Sequence, residues 1–560
     1  MLKYFKKNKK LTYSVLLGIT IFLGYYFFLF YGGFGSGDGI SIYLKVTENE
    51  LSLKNIIAET IFQSSQIERP ISAFFRILTF KLFKDNAYLY NLASFITWIL
   101  TIYIISLSLK KIFDKKVALI FLLLGSFPFF STIIFFESYL YTAYTLSILL
   151  WSISLLLILK SSEKNFFYYY FFSYVFLLLA IFTLEYLISL LLLNIFFPIF
   201  YNLKLNKTKY KNYFYIYIIP ILLVGTIFLV FKLVFVKIIF PGENIYGLTK
   251  LSTASFLQSF YFFIVIIFEI PILLFKSIFF SINIKAISIF CLIFIYFCNL
   301  RINKNIFKNK TLNYLDIKID KYILATLLLS LIGCSFIFLI SFYPANSFGY
   351  YSKMMLPAFV IFAILASYVF SFLLNSRYFM FVFIISFFWI FSTVIQIDNH
   401  TRSWKLREVI IYDIIKKINS LQIANIEKNT TLVANVPLFL NKNFNNEPVF
   451  FTTWNLSHHI KYRSKILINS YPINHRMIMD KNFYPAHNIF NKVESINETI
   501  FLYYEYNNNN KKSYIEIFQN KLEFLKKIND IKNNKINYNA ILFREKIRIK
   551  MISLVKTFYN

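Results

Sequence analysis

A carboxylate in a glycine-rich loop is the first group in this chain whose surroundings suggest chemistry. Asp38 follows glycines at positions 32, 33, 35 and 37 and precedes Gly39. Glycine lets a backbone turn sharply and approach another group closely. A carboxylate in such a loop can serve as a general base that removes a proton from an attacking hydroxyl. The other interpretation, a flexible turn with a solvated aspartate, fits the residues of the loop equally well.

A second charged group follows thirty residues later, where Glu68, Arg69 and Pro70 stand next to each other. Proline fixes its own φ and restricts the residue before it to extended geometry, so we expect Arg69 to be held in one direction. A guanidinium at a membrane surface is suited to bidentate binding of a phosphate. The alternative is a local pair between Glu68 and Arg69 at a helix start, which contributes little when it is exposed.

Other charged residues lie between apolar segments. Lys353, in the segment 343–353, is a candidate second cation, although an interfacial anchor is the more common role of such a lysine. Glu137 lies in a very short turn between two apolar segments. For Glu185 and Glu243 a solvated charge in a turn is favoured over a functional role.

The composition places these groups in a membrane protein. Hydrophobic residues make up 58% of the chain, aromatic residues 21% and charged residues only 15%. Repeated apolar runs of roughly 18 to 25 residues are long enough to cross a bilayer. The net charge of +32 comes without a zinc-finger, helix-turn-helix or RNP signature, so no nucleic-acid partner is predicted. Lysine in loops beside apolar segments is explained by retention on the cytoplasmic side.

The length criterion predicts an α-helical polytopic protein with about eleven transmembrane helices. These spans are predicted at 12–32, 88–109, 117–136, 138–159, 166–183, 184–201, 212–236, 284–300, 322–343, 354–375 and 378–397. Basic residues in the alternate loops predict a cytoplasmic N-terminus and an extracytoplasmic C-terminus. The first outer loop is then 33–87, and the transmembrane domain is 1–397.

The apolar segment 255–276 is not one of the eleven predicted spans, although it is long enough to cross a membrane. A full crossing there would place the basic segment 301–321 outside, and the segment contains Glu269, Pro271 and Lys276. We therefore interpret it as re-entrant or interfacial on the outer side. A twelfth span, with the C-terminus inside, is the alternative.

Residues 398–560 are predicted to form an extracytoplasmic α/β or α+β domain, which is an ordinary domain length. Strands are predicted at 431–436 and 449–454, and helices at 408–421 and 514–529. Neither the histidines nor the cysteines have the spacing of a metal site, so no metal or other cofactor is predicted.

The long first outer loop with Asp38, the Glu68-Arg69-Pro70 motif and the second-loop acid Glu137 resemble the GT-C superfamily of membrane glycosyltransferases. Within it, the chain is most similar to the lipid-linked aminoarabinose and protein-mannosyl transferases. The resemblance at the level of residues covers about positions 32–140, where Arg69 replaces the family's lysine and no Asp-x-Asp motif is present in the second loop.

The resemblance implies that Asp38 is the catalytic base and that Glu68 and Arg69 lie beside it in the cavity for donor and acceptor. Glu137 would match the second-loop acid, and Lys353 would add a cation on the same outer face. It also implies a polyprenyl-phosphate-linked sugar as donor. The predicted acceptor is a surface polysaccharide, lipid or protein outside a bacterial inner membrane.

Other functions fit parts of the sequence. A polysaccharide polymerase or ligase would be expected to have its large outer loop late in the chain, whereas here it comes first. A lipid-linked sugar transporter or flippase predicts charge buried within spans and interrupted helices. The predicted spans contain little charge, with Lys232 as the main exception, and a lysine can extend its amine towards a membrane boundary.

Overall fold

The computed structural model describes Leu44 and residues 69–84, 86–135, 141–164, 167–204, 214–235, 238, 253–276, 290–298, 314–340, 350–374, 378–420, 431–436, 439–440, 447–448, 455–464, 469–473, 499–507, 512–518 and 522–527. The predicted span at 12–32 and the predicted strand at 449–454 lie outside these residues. The described residues belong to two compact units, one holding 69–397 and the other holding Leu44 with 398–527.

The first unit is helical and has the character of a polytopic membrane protein. Seven of its described helices are long and apolar enough to cross a membrane. They are Tyr88–Ile112, Thr142–Glu163, Glu185–Lys204, Phe256–Phe275, Lys321–Leu339, Ser352–Leu373 and Phe379–Ser420, of which the last belongs to this unit over residues 379–397. Two shorter apolar helices are Phe167–Thr183 and Tyr215–Val230. Every one of these helices overlaps a segment that the length criterion singles out.

The helices in chain order are α1 (Pro70–Phe83), α2 (Ala87–Ile112), α3 (Lys115–Gly125), α4 (Leu146–Lys164), α5 (Phe167–Thr183), α6 (Leu191–Lys204), α7 (Ile219–Val230), α8 (Thr253–Ile264), α9 (Ile270–Lys276), α10 (290–298), α11 (Tyr314–Gly333), α12 (Ser335–Ile340), α13 (Leu356–Leu373) and α14 (Phe379–Ser420). Turns of 3₁₀ type at Thr132–Phe135, Glu185–Leu190 and Tyr350–Met355 separate or extend them. Turns of π type occur at Tyr141–Thr145, Phe214–Ile218, Phe231–Phe235 and Val265–Glu269.

The expectation of one continuous span over 117–136 is wrong. Helix α3 ends at Gly125. Residues 126–131 are not helical, and the next helical element is the 3₁₀ turn Thr132–Phe135. Pro128 lies in the interruption, where it has no N–H to continue a helix. Trp389 of α14 donates from Nε1 to the carbonyls of Leu124 (3.0 Å) and Phe127 (2.8 Å), so the freed backbone groups are satisfied inside the protein.

The segment 253–276 is helical throughout, with α8 and α9 joined by one π turn. Its apolar part, Phe256–Phe275, is long enough to span, and only 33% of it is buried within the protein. Apart from this π turn, the irregular backbone expected of a re-entrant segment is not found there. An interfacial helix and the alternative of a full crossing both agree with a helix of this length.

The second unit contains a mixed four-stranded sheet. Its strands are β1 (Thr431–Asn435), β4 (Asn469–Ile473), β5 (Thr499–Asn507) and β6 (Lys512–Phe518), in the order β4-β1-β5-β6. Strand β1 pairs in parallel with β4 and β5, and β6 closes one edge antiparallel to β5. A separate short pair joins β2 (Phe439–Leu440) to β3 (Glu447–Pro448). Helix α15 (Asn455–Ser464) lies between β1 and β4 in the chain, as a parallel connection requires.

Both faces of this sheet are covered. Alternate residues of β1, Leu432 and Ala434, pack with α15 and with the isoleucines at 410, 411, 414 and 418 on the last turns of α14. On the opposite face Val433 packs with Phe501 and Phe524. The helix predicted at 514–529 is wrong for its first part: residues 514–518 lie in β6, where their alternating pattern suits pairing with β5.

Candidate functional site

Arg69 and Glu185, which lie 116 residues apart in the chain, form a bidentate ion pair. Arg69 Nε donates to Glu185 Oε2 at 2.9 Å, and Arg69 Nη2 donates to Glu185 Oε1 at 2.5 Å. The Glu185 side chain is 7% exposed and that of Arg69 is 26% exposed. A carboxylate this deeply buried beside a guanidinium fork forms a strong and directional contact.

The local sequence explains where the two residues stand. Arg69 is the N-cap of α1, and Pro70 occupies the first helical position, for which its fixed φ is suited. Glu185 opens the 3₁₀ turn Glu185–Leu190 after the extended residue Leu184. Helix α1 packs against α5, the helix that ends just before this turn, and this packing brings the two charges together.

Aromatic residues surround the pair. The Arg69 guanidinium lies 5.5 Å from the ring centre of Tyr186, at a distance for cation–π attraction. The rings of Tyr186 and Tyr144 are 6.5 Å apart between centroids. Tyr144 OH in turn donates to Met354 Sδ at 3.2 Å. Tyr144 therefore connects the surroundings of Arg69 to the turn that carries Lys353.

Three described lysines of the first unit are buried: Lys116 at the start of α3, Lys232 and Lys353. Lys353, on the turn Tyr350–Met355, is 6% exposed, which contradicts the role of an exposed interfacial anchor. Lys232 is 2% exposed and interacts electrostatically with Glu185. The expectation that Lys232 extends its amine to a membrane boundary is therefore wrong. Cations inside a helical membrane unit are costly, and they mark functional sites in many membrane proteins.

The turns near this pair form a connected region of non-α backbone. The turn Thr132–Phe135 contacts both Tyr141–Thr145 and Tyr350–Met355. Ser131 Oγ donates to the carbonyl of Ser352 at 2.7 Å, and Thr132 Oγ1 lies 3.2 Å from Gln396 Oε1. Irregular backbone at membrane depth occurs where protein covers it or where it lines a cavity.

Of the predicted site residues, the structure describes Arg69 and Lys353. Asp38, Glu68 and Glu137 lie outside the described residues. Arg69 pairs with Glu185 across the fold. The alternative of a local pair between Glu68 and Arg69 falls on a residue outside the described ones. The interpretation of Glu185 as a solvated charge in a turn is wrong, because Glu185 is buried and bound at both oxygens.

Glu185 is the functional candidate that sequence reasoning missed. The sequence shows it as a single acid between two apolar runs, a context shared by solvated turn residues. Its burial depends on α1, which is distant in the chain, and no local pattern reports that packing. Within the described part of the chain, no group of three or more His, Cys, Asp or Glu residues is arranged to hold a metal ion.

Comparison with protein-family models finds no matching family, and comparison with curated proteins finds no matching sequence.

Proposed function

We propose that this protein is a membrane glycosyltransferase of the GT-C type. It transfers a sugar from a polyprenyl-phosphate donor to a polysaccharide, lipid or protein acceptor outside a bacterial inner membrane. The observation that supports this most directly is Arg69: a guanidinium fixed at a helix start, on a partly exposed side chain, within the predicted outer loop 33–87 that also carries Asp38 and Glu68. A cation in this place suits the phosphate of a lipid-linked donor.

In the proposed reaction the acceptor hydroxyl oxygen forms a bond to the anomeric carbon of the donor sugar. The bond from that carbon to the phosphate oxygen breaks, and polyprenyl phosphate leaves with the electron pair. Asp38 takes the proton of the hydroxyl. Arg69 and Lys353 stabilise the negative charge that develops on the departing phosphate, while Glu68 and Glu137 line the cavity.

The proposed topology has eleven spans, a cytoplasmic N-terminus and residues 398–560 outside. The continuous helix 253–276 bears on this orientation, because a crossing there would reverse every later loop. An alkaline phosphatase reporter, which is active only outside the cytoplasm, is expected to be active after Asn560 and inactive after Lys310. The reverse pattern would contradict the orientation and would favour the twelfth span.

Sugar transfer tests the activity itself. Membranes carrying the wild type are expected to transfer radiolabelled sugar from polyprenyl phosphate, and Asp38→Asn is expected to lower transfer by about 100-fold or more. Asp398→Asn is the matched control, since Asp398 forms an exposed pair with Arg402 at 2.7 Å. Equal transfer by wild type and Asp38→Asn would rule out Asp38 as the base.

A flippase for a lipid-linked sugar is the second candidate. Buried Lys232 and Lys353, the buried Glu185 and the interrupted segment 126–131 are features expected of a transport path. Proteoliposomes with a fluorescent polyprenyl-phosphate sugar separate the two functions. Movement of the lipid between leaflets without transfer to any acceptor would favour the flippase.

A further inference from the structure

The Arg69 guanidinium has a second donor edge that Glu185 does not use. A guanidinium is planar and carries its N–H donors in a fixed fork. Glu185 accepts from Nε and from one hydrogen of Nη2. Planarity then directs Nη1 and the other hydrogen of Nη2 away from the carboxylate. Among the residues that the structure describes, no other side chain accepts a hydrogen bond from Arg69.

The surroundings fix the orientation of this second edge. The carboxylate of Glu185 sets the rotation of the guanidinium within its plane, and the Tyr186 ring lies 5.5 Å from the guanidinium carbon. The exposed part of the pair belongs to Arg69, at 26%, rather than to Glu185, at 7%. A ligand that reaches the pair therefore meets the Arg69 side chain before the carboxylate.

The start of α1 adds donors at the same place. The N-cap Arg69 makes no side-chain cap bond, Pro70 has no N–H, and Ala73 N–H donates to the Arg69 carbonyl. Helix geometry therefore leaves the N–H groups of Ile71 and Ser72 as donors at this end. Free N–H groups at a helix N-terminus favour an anion. A carboxylate has two oxygens, and the Arg69 edge is sufficient to bind both of them. A terminal phosphate has three oxygens and more negative charge, so it can use both the Arg69 edge and the helix start.

We propose that Glu185 is a positioning residue, which holds Arg69 so that its Nη1–Nη2 edge binds two oxygens of one terminal phosphate group. In the proposed reaction this group is the phosphate of the departing polyprenyl phosphate, since the phosphate of the donor is a diester with only two non-bridging oxygens. The inference rests on the proposed function only for the identity of this ligand, because phosphate binding does not require sugar transfer. Glu185 does not touch the ligand: it acts through Arg69. The phosphate is either that of a prenyl lipid or a soluble phosphate.

Binding of farnesyl phosphate to the purified full-length protein in detergent tests this directly, with farnesol as the uncharged control ligand. The wild type is expected to bind farnesyl phosphate and not farnesol. Glu185→Gln is expected to weaken binding about tenfold, since the edge of Arg69 loses its fixed direction. The matched control is Glu163→Gln, which removes the acid of the pair between Lys111 and Glu163 in the same unit and is expected to leave binding unchanged.

A charge exchange separates positioning from folding. The double variant Arg69→Glu with Glu185→Arg restores an ion pair and is expected to be monodisperse, but it places the guanidinium on the wrong element and should bind as weakly as Glu185→Gln. Because this variant removes the guanidinium from position 69, it tests phosphate binding by Arg69 if Glu185→Gln does not fold. Wild-type affinity in either variant would overturn the proposal.

Competition distinguishes the two sources of phosphate. Displacement of farnesyl phosphate by millimolar inorganic phosphate would identify a soluble phosphate as a sufficient ligand, whereas resistance to it would identify the lipid phosphate. Glu185-dependent binding in a protein that transfers no sugar would contradict the proposed activity and leave this inference standing. Sugar transfer by a protein whose phosphate binding is unchanged in Glu185→Gln would support the proposed activity and overturn this inference.

Discussion

Two ion pairs of the helical unit, Arg69–Glu185 and Lys111–Glu163, have the same N–O distance but differ in how deeply the carboxylate is buried. Each has a shortest N–O distance of 2.5 Å, and the two cations are similarly exposed, at 26% for Arg69 and 22% for Lys111. The acids differ: Glu185 is 7% exposed and Glu163 is 33% exposed. The burial of the carboxylate therefore separates the candidate site from an ordinary pair near a surface.

The geometry of the two pairs differs as well. One guanidinium binds both oxygens of Glu185, whereas Lys111 Nζ and Tyr201 OH both donate to Oε1 of Glu163. A lysine ammonium is a point charge on a flexible stem, and a guanidinium is a rigid fork. The first pair consequently fixes the direction of the guanidinium, and the second joins the ends of helices.

The largest expected effect is the loss of the cation from the buried pair. Arg69→Met leaves the carboxylate of Glu185 buried beside an apolar side chain, and the free energy of unfolding is expected to fall by about 3 kcal/mol. SDS titration in mixed micelles, followed by tryptophan fluorescence, measures it. A loss no larger than that of Lys111→Met would remove the distinction between the two regions.

A smaller effect is expected when the charge stays and the fork is lost. Arg69→Lys keeps a cation but makes only one of the two hydrogen bonds to Glu185, so the free energy of unfolding should fall by about 1.5 kcal/mol. The same titration with the reciprocal variant Lys111→Arg is expected to show little change. Equal effects of the two exchanges would mean that charge alone, and not fork geometry, holds Glu185.

The exposed pair should contribute less and should respond to salt. Lys111→Met is expected to lower the free energy of unfolding by about 0.5 kcal/mol. Since the Debye length falls to about 3 Å in 1 M salt, this difference should vanish there while that of Arg69→Met remains. Titrations at low and high NaCl test both variants. A salt-independent loss for Lys111→Met would place the two pairs in the same class.

The smallest effect is expected for the surface pair of Lys527 and Glu516 in the sheet unit, at 2.9 Å. The hydrogen bond from Lys527, followed by that from Tyr514, holds the pKa of the Glu516 carboxyl below its ordinary value of 4.5. A carboxyl group whose pKa is lower in the folded state stabilises the fold fully at pH values above its unfolded pKa. This contribution is lost as the pH falls through the lower, folded pKa.

Solvent screening limits this contribution to about 0.5 kcal/mol or less. Thermal unfolding of wild type and Glu516→Gln between pH 7 and pH 3 measures it, and the two curves should converge at the acidic end. A difference that grows towards low pH would contradict the sign.

Much of the fold could be predicted from local patterns. The helix Ala87–Ile112 and the helix that begins at Phe379 follow from long apolar runs, and β1 follows from the alternation in Thr431–Asn435. The errors have non-local causes. Helix α3 stops at Gly125 because Pro128 interrupts it and side chains of α14 satisfy the released carbonyls. Residues 514–518 form a strand because β5 offers them a partner.

The candidate site was predictable only in part. Arg69 could be singled out because proline restricts the backbone of the residue before it, so that a cation in this position has a defined direction. Glu185 could not be chosen over the other acids between apolar runs, since the residues around it specify neither burial nor a partner 116 positions away.

The sequence by itself determined the class of the molecule, because hydrocarbon thickness and the cost of unpaired backbone groups restrict long apolar runs to membrane helices. It also determined that Arg69, held before Pro70, has a restricted backbone. Only the tertiary structure decided that Glu185 holds Arg69, that Lys232 and Lys353 are buried and that the segment 126–131 is not helical. Burial and pairing of charge depend on which distant helices pack together, and a local sequence pattern contains no record of that packing.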